Sequence, residues 1–371
     1  MRRNDLAAHV ARHRLHARLN GAVAALPEQP ATPTYVVDLD AFDANAADLA
    51  RRAGGKPVRV ATKSLRVPAL IERALATTGF AGVLAYSLRE ARWLGEQGFS
   101  DDSVMGYPTV DLVGLERLTT SEAARTAVTL MVDDVRQLDL LDSVRPAGAS
   151  VRLALDVDAG LHLGPAHLGP KRSPLADAAD AVELAREVER RDGLRLVGVM
   201  TYEGQVAGVP DEVPRHRFRS AAVRSVKKAS VAQLADRRAE IASALHEVAD
   251  LEFWNAGGSG SLETSAADPA VTELTAGSGL LVPGLFDHYR SFRPLPAAYF
   301  GLPVVHVHQL HGGTGVAQAL DEGAGQGRLA GARRAVHADE PARAQGGLGG
   351  QHPGGDDGRG VRAHQAFPVP R

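Results

Sequence analysis

VRVATKSLRVPALIERAL (58–75) decides how this chain is read. It opens on an apolar, β-branched run, VRVATK (58–63), that ends in a lysine, and it passes into residues with the apolar spacing of a helix. That is one strand followed by one helix. Lysine is among the residues least often buried, so a lysine closing an apolar run needs a reason. In barrel enzymes the strand ends carry the reactive groups.

The unit recurs along the chain. TYVVDLD (34–40) precedes it, followed by the helical stretch AFDANAADLARRA. GVLAYS (82–87), SVMGYP (103–108), VTLMVD (128–133), VRLALDVD (151–158), LVGVMTYEG (196–204), LEFWNAGG (251–258) and TELTAGS (272–278) come after it, mostly separated by helix-compatible segments. Alternation of this kind means βα units and a parallel sheet. Eight strands with helical crossovers predict an α/β fold, a (β/α)8 TIM barrel. An open doubly wound sheet is the alternative, but it usually has fewer strands, and no GxGxxG follows the first one. Residues 205–250 exceed a plain crossover. Their helical period and basic first half predict a solvated helix covering the barrel.

Composition narrows the class. With 371 residues, 44% apolar and 23% charged, the chain has the makeup of a soluble globular protein with a substantial core. A net charge of -2 gives no basic field for nucleic acid, and the absence of cysteine excludes disulfides, thiolate zinc sites and a cysteine nucleophile. No run of about 18 apolar residues predicts a membrane span. The Arg- and His-rich start lacks the apolar core of a signal peptide, which leaves a helical segment at 1–33 and the cytoplasm as the expected location.

Character changes again near residue 304. Residues 306–371 hold 15 of the chain's 39 glycines and no Ile, Lys, Ser, Asn, Met, Trp or Tyr. Such a stretch buries too little apolar surface to offset its ordering entropy. The expected organisation is a helical segment (1–33), a barrel (34–303) and a Gly/Ala/Arg-rich tail (304–371), either disordered or read in a shifted coding frame.

The C-terminal strand ends gather Lys63, Tyr86, Ser87, Tyr107, Asp133, Asp158 to His162, Tyr202, Glu203, Asn255, Gly257, Gly258, Ser259, Gly277 and Ser278. NAGGSGS and TAGSG follow the seventh and eighth strands, where barrel enzymes hold phosphates on inward-turned backbone N–H groups. A lysine at one end and a phosphate nest at the other suggest pyridoxal phosphate. Read from its spacing alone, Lys63 is equally a strand-end lysine reaching solvent.

TPTYVVDLDAFDAN, RVATKSLRVP, LDVDAGLHLG, GVMTYEGQ, NAGGSGS and ELTAGSG stand in the order and spacing of the fold-type III, alanine racemase-like pyridoxal phosphate proteins. Over residues 30–303 the chain resembles their D-threonine aldolase / D-serine dehydratase branch, which includes proteins called amino acid deaminases. The resemblance implies a lyase acting on a D-amino acid, with Lys63 as the lysine joined to the cofactor aldehyde and as the base that moves the Cα proton. It implies Tyr202 against the cofactor, Gly258, Ser259, Gly277 and Ser278 on its phosphate, Asn255 beside them, and Asp287 and Tyr289 as a D-x-Y element after the last strand. It also implies a homodimer.

Departures from the family pattern are equally specific. Ala61 and Leu65 stand where relatives often carry histidines around the lysine, and His162 stands where many have an arginine facing the pyridine nitrogen; as a catalytic candidate His162 can donate or accept. The branch continues into a β-domain with a divalent-metal pair beginning with histidine, and nothing here matches it. His306, His308 and His311 form an H-x-H-x-x-H string inside the biased tail and are read as accidental. Activity impaired by the missing domain is therefore expected. An alanine racemase-type racemase, a non-catalytic pyridoxal phosphate binder and a barrel enzyme with another phosphorylated ligand remain alternatives.

Overall fold

The computed structural model describes residues 3–28, 30 and 33–302, with side chains from residue 13 onward; the tail and its histidine string lie outside the described residues. A helix, Arg3–Ala24, leads into β1 (Thr34–Val37). Eight parallel strands then close into a barrel: β2 (Val58–Ala61), β3 (Phe80–Ala85), β4 (Ser103–Pro108), β5 (Val128–Val132), β6 (Val151–Asp156), β9 (Leu194–Thr201), β10 (Phe253–Ala256) and β11 (Glu273–Ala276). Between β6 and β9 lies a small antiparallel ribbon, β7 (Leu161–Leu163) with β8 (Ala166–Leu168). β12 (Ala298–Gly301) ends the described chain.

The eight runs from VRVATK to TELTAGS are the eight barrel strands. The first run, TYVVDLD, is not among them: β1 pairs antiparallel with β12 outside the barrel, Thr34 opposite Gly301. Its burial explains the difference. β1 is only partly covered, whereas β2, β5, β10 and β11 are buried at every position. Strands covered on both faces are apolar without alternation.

Polar residues mark where strands give way to helices. Asp38, Ser87, Asp111, Ser121, Asp134 and Asp177 each accept a hydrogen bond from a backbone N–H in the first turn of the helix that follows. Ser87 is thus a helix cap. The 205–250 segment folds largely as one helix, Arg217–Leu245, packed on the helix Ala178–Glu189 as a cover.

A buried ion pair sits inside the barrel toward the strand starts. Arg59 on β2 donates through Nε and NH2 to both oxygens of Glu273 on β11, at 3.0 and 2.6 Å. Asn255 Nδ2 donates to Glu273 at 2.8 Å and to Thr275 Oγ1 at 2.8 Å. Removing the Glu273 carboxylate leaves the buried guanidinium with only the half-exposed Asp102, 2.9 Å away, and breaking a buried pair in this way typically costs several kcal/mol. Glu273→Ala is expected to lower the unfolding free energy by about 3 kcal/mol, read from urea denaturation; a loss below about 0.5 kcal/mol would show that solvent already screens the pair.

Candidate active site

At the C-terminal end of the barrel a cavity of about 150 Å³ opens among Lys63, Tyr107, Arg172, Tyr202, Ser259 and Ser278. β2 stops at Ala61, and residues Thr62–Ser64 make a single 3-10 turn. Thr62 fixes that turn: it is fully buried, and its hydroxyl donates to Glu90 Oε2 at 2.7 Å. Glu90 also accepts from Tyr86 N at 2.8 Å, tying the turn to the end of β3. Lys63 is thereby aimed outward into the cavity, where its Nζ donates to the Tyr107 hydroxyl at 3.3 Å.

The two glycine loops line the same cavity, the second of them beside the Lys63 turn because β11 is the barrel neighbour of β2. Gly257 has φ +85, a backbone region that only glycine enters freely. Gly277 lies so close to the end of β2 that a Cβ would fall 2.6 Å from the Ala61 carbonyl oxygen. Ser259 Oγ accepts from Gly279 N at 2.8 Å and from the Ser278 hydroxyl at 3.5 Å, so the loops meet hydroxyl to hydroxyl. Behind them stands Glu203, 1% exposed, which accepts from Ser261 Oγ at 2.7 Å, from Gly257 N at 3.3 Å and from Ser265 Oγ. Its charge is matched by Arg238 of the covering helix at 3.0 Å, and Arg238 also holds Thr201 and Asp268.

Tyr202 lies over this loop, its ring edge 3.2 Å from where a Cβ on Gly258 would be. Burial, reinforced by the Glu203 charge, raises its phenol above the usual tyrosine range, so the hydroxyl keeps its proton. Asn255 lines the cavity with its amide engaged by Glu273 and Thr275.

Three expected residues stand elsewhere. His162 turns away from the cavity, because β6 ends at Asp156 and the chain enters the ribbon, where Leu161 points inward and His162 lies on the other face beside Asp158. Asp287 is exposed and outside the cavity lining. Tyr289 is buried one layer back, donating from its hydroxyl to the Ala207 carbonyl at 2.7 Å and packing with Phe286 and Phe292.

A second cation at the cavity wall is Arg172. Its NH2 donates to Asp156 Oδ2 at 2.9 Å and to the Gly106 carbonyl at 2.6 Å, with the guanidinium 4.4 Å from the centre of the Tyr107 ring. It comes from the loop after the ribbon, too far beyond β6 for a strand-end rule to reach. The signal in the sequence was GPKRSP, a basic pair framed by turn residues.

Together these groups set an amine and a hydroxyl and backbone nest around one cavity, the donor set for an aldehyde and a phosphate. Residues 37–282 match the family described as alanine racemase, N-terminal domain. The chain belongs to that family. No curated protein sequence matches it. Among solved structures it is similar to a D-threonine aldolase from Filomicrobium marinum, at 25% identity and TM-score 0.62 over 73% of this chain and 68% of that one. It shares the fold of a D-threo-3-hydroxyaspartate dehydratase from Delftia sp. HT23, at 20% identity and TM-score 0.53 over 69% and 62%. The same holds for alanine racemase from E. faecalis, at 16% identity and TM-score 0.52 over 72% and 64%. The chain spans about two thirds of the length of these proteins.

Burial raises the Asp156 carboxyl to about 6 despite its pairing with Arg172. An unfolded aspartate titrates near ~4. Ionising Asp156 therefore costs the folded state, and its contribution is whole below about pH 4 and lost as the pH rises through about 6. Asp156→Asn is expected to cut the loss of stability between pH 5 and pH 7 by about 1 kcal/mol, measured by urea denaturation at both values. An unchanged slope would place the proton elsewhere.

Proposed function

We propose that the protein is a pyridoxal phosphate-dependent lyase acting on D-amino acids, of the D-threonine aldolase or D-serine dehydratase (deaminase) kind, with Lys63 as the residue that joins the cofactor. The observation that carries this reading is the Lys63 amine, hydrogen-bonded to Tyr107 and lining one cavity with the Ser259–Ser278 nest. The likeness to a D-threonine aldolase supports the choice of lyase within the family.

The residues present fit the cofactor. Gly277 approaches Ala61 too closely for any side chain, which brings the second glycine loop up against the turn that carries Lys63, both lining the cavity. Ser259, Ser278 and the backbone around Gly258 would hold the phosphate. Tyr202 and Tyr107 would bound the ring, and Arg172 would supply the positive charge at its edge. When bound, pyridoxal phosphate supplies an electron sink for the pair of electrons released at Cα.

Within that frame Lys63 Nζ takes the Cα proton, with the Tyr107 hydroxyl fixing its position. Tyr202, kept protonated, donates a hydrogen bond and excludes water. With a 3-hydroxy substrate, transfer of the Cα proton and departure of the hydroxyl as water lead, after hydrolysis, to a keto acid and ammonia. Where Cα–Cβ breaks instead, the Cα proton stays, a proton leaves the β-hydroxyl as the aldehyde forms, and Cα takes up a proton to give glycine. A divalent metal is part of this proposal through the branch resembled. So is a cytoplasmic location. No helix among the described residues is long and apolar enough to cross a membrane.

The test combines spectroscopy with products. Purified protein given pyridoxal phosphate is expected to show a visible imine band, and borohydride reduction should place the label on Lys63. Incubation with D-threonine and D-serine should release glycine and acetaldehyde, or keto acid, and Lys63→Ala should lower the rate by about 10³-fold. Racemised amino acid without cleavage would replace the lyase by a racemase. A band without turnover would leave a cofactor-binding protein, and no band would end the proposal.

A further inference from the structure

Away from the cavity wall, the ribbon between β6 and Arg172 holds a second cluster. His162 and His167 are directly opposite each other across its two strands. Residues in that relation project to the same face of a ribbon, and their rings lie 5.1 Å apart. Both turn Nε2 toward Asp158, which is 4% exposed: His162 meets Oδ2 at 2.8 Å and His167 meets Oδ1 at 3.0 Å. All three ligand atoms lie within 4.8 Å of one another.

We propose that Asp158, His162 and His167 bind a divalent transition-metal ion of the zinc kind, which pins the ribbon and the loop that leads to Arg172. Two imidazoles and a carboxylate form a ligand set suited to zinc. With bonds of about 2.0–2.1 Å in a tetrahedron, neighbouring donor atoms stand about 3.3 Å apart. Each nitrogen stands only a few tenths of an ångström closer than that to the carboxylate oxygen it faces. The carboxylate is buried while the imidazoles are partly exposed, 39% and 21%, so the ion has a solvent path and a fourth position for water.

The surroundings are shaped around these atoms. A Cβ at Gly160 would fall 2.2 Å from His167 Nε2, so glycine there leaves room for the ligating edge. Gln233 of the covering helix clamps His162 by its backbone, accepting from N and donating to O, each at 2.8 Å. Arg237 donates to the carbonyl oxygens of Gly160 and Asp158. Its guanidinium also pairs with Asp158 Oδ2 at 3.6 Å, where Gly160 N donates at 3.2 Å, and that charge tempers the affinity. His167 Nδ1 and Gln205 Oε1 are buried without a hydrogen-bond partner among the described residues. As long as His167 Nε2 carries its proton toward Asp158, Nδ1 is a bare acceptor; metal on Nε2 moves the proton to Nδ1 and makes it a donor.

The test is metal binding by the full chain, stripped of metal by chelation and without added cofactor. Zn2+ is titrated by calorimetry, Co2+ by its visible absorption, and folding is checked by circular dichroism. We expect a site that weakens at least about tenfold in His167→Ala and in Asp158→Asn, and a zinc-dependent rise in melting temperature that His162→Ala loses. His308→Ala with His311→Ala, which removes the competing string in the tail, should leave that site intact. Binding unaffected by His162→Ala and His167→Ala but lost in the tail variant would overturn the proposal. So would failure of the parent protein to bind either ion below about 100 μM, and the cluster would then be two imidazoles hydrogen-bonded to a carboxylate.

Discussion

Glu203 and Arg238 are both almost wholly buried, and neither charge would survive there alone. Removing a carboxylate or a guanidinium from water costs several kcal/mol, recovered only when the pair meets well and its remaining donors and acceptors are satisfied. Here they are. Arg238 reaches Thr201 and Asp268 as well as Glu203, and Glu203 takes the hydroxyls of Ser261 and Ser265 and the N–H of Gly257. The covering helix, the end of β9 and the first glycine loop are thus joined at one point, and the shape of the nest facing Lys63 follows from it.

Electrostatically, the cavity is an island of cations on a nearly neutral chain. Lys63 and Arg172 face it, Tyr107 touches both, and the Asp156 carboxyl that pairs with Arg172 lies deeper. Burial lifts Asp156 and, more modestly, Asp133 above the ordinary carboxylate range, and Arg172 pulls both back. Displaced carboxylates and fixed cations at the strand ends of one barrel are the usual environment of acid–base chemistry.

The barrel was legible in the sequence because its strands are covered on both faces and therefore appear as plain apolar runs. β1 looked the same over four residues but pairs at the outer edge, and no local pattern separates the two cases. Lys63 and both glycine loops were legible from their position after strands. Arg172 was not, since it arrives from a loop well past its strand. The ribbon escaped notice because two three-residue strands carry no readable period, and that is why His162 was expected in the cavity. The helix Arg217–Leu245 was legible as a helix and as a cover. Periodicity cannot tell which of its many arginines turns inward, so Arg238 looked like one more solvated charge.

That inward arginine has a consequence for motion. The helix and the glycine loop share one ion pair, so local opening of either must break the same contacts and expose the same charges. Their backbone amides should exchange with solvent as a single cooperative unit, although more than a dozen residues separate Arg238 from Gly257 in sequence. Anything that holds the loop closed also slows the fraying of a helix it never touches, by mass action through Glu203.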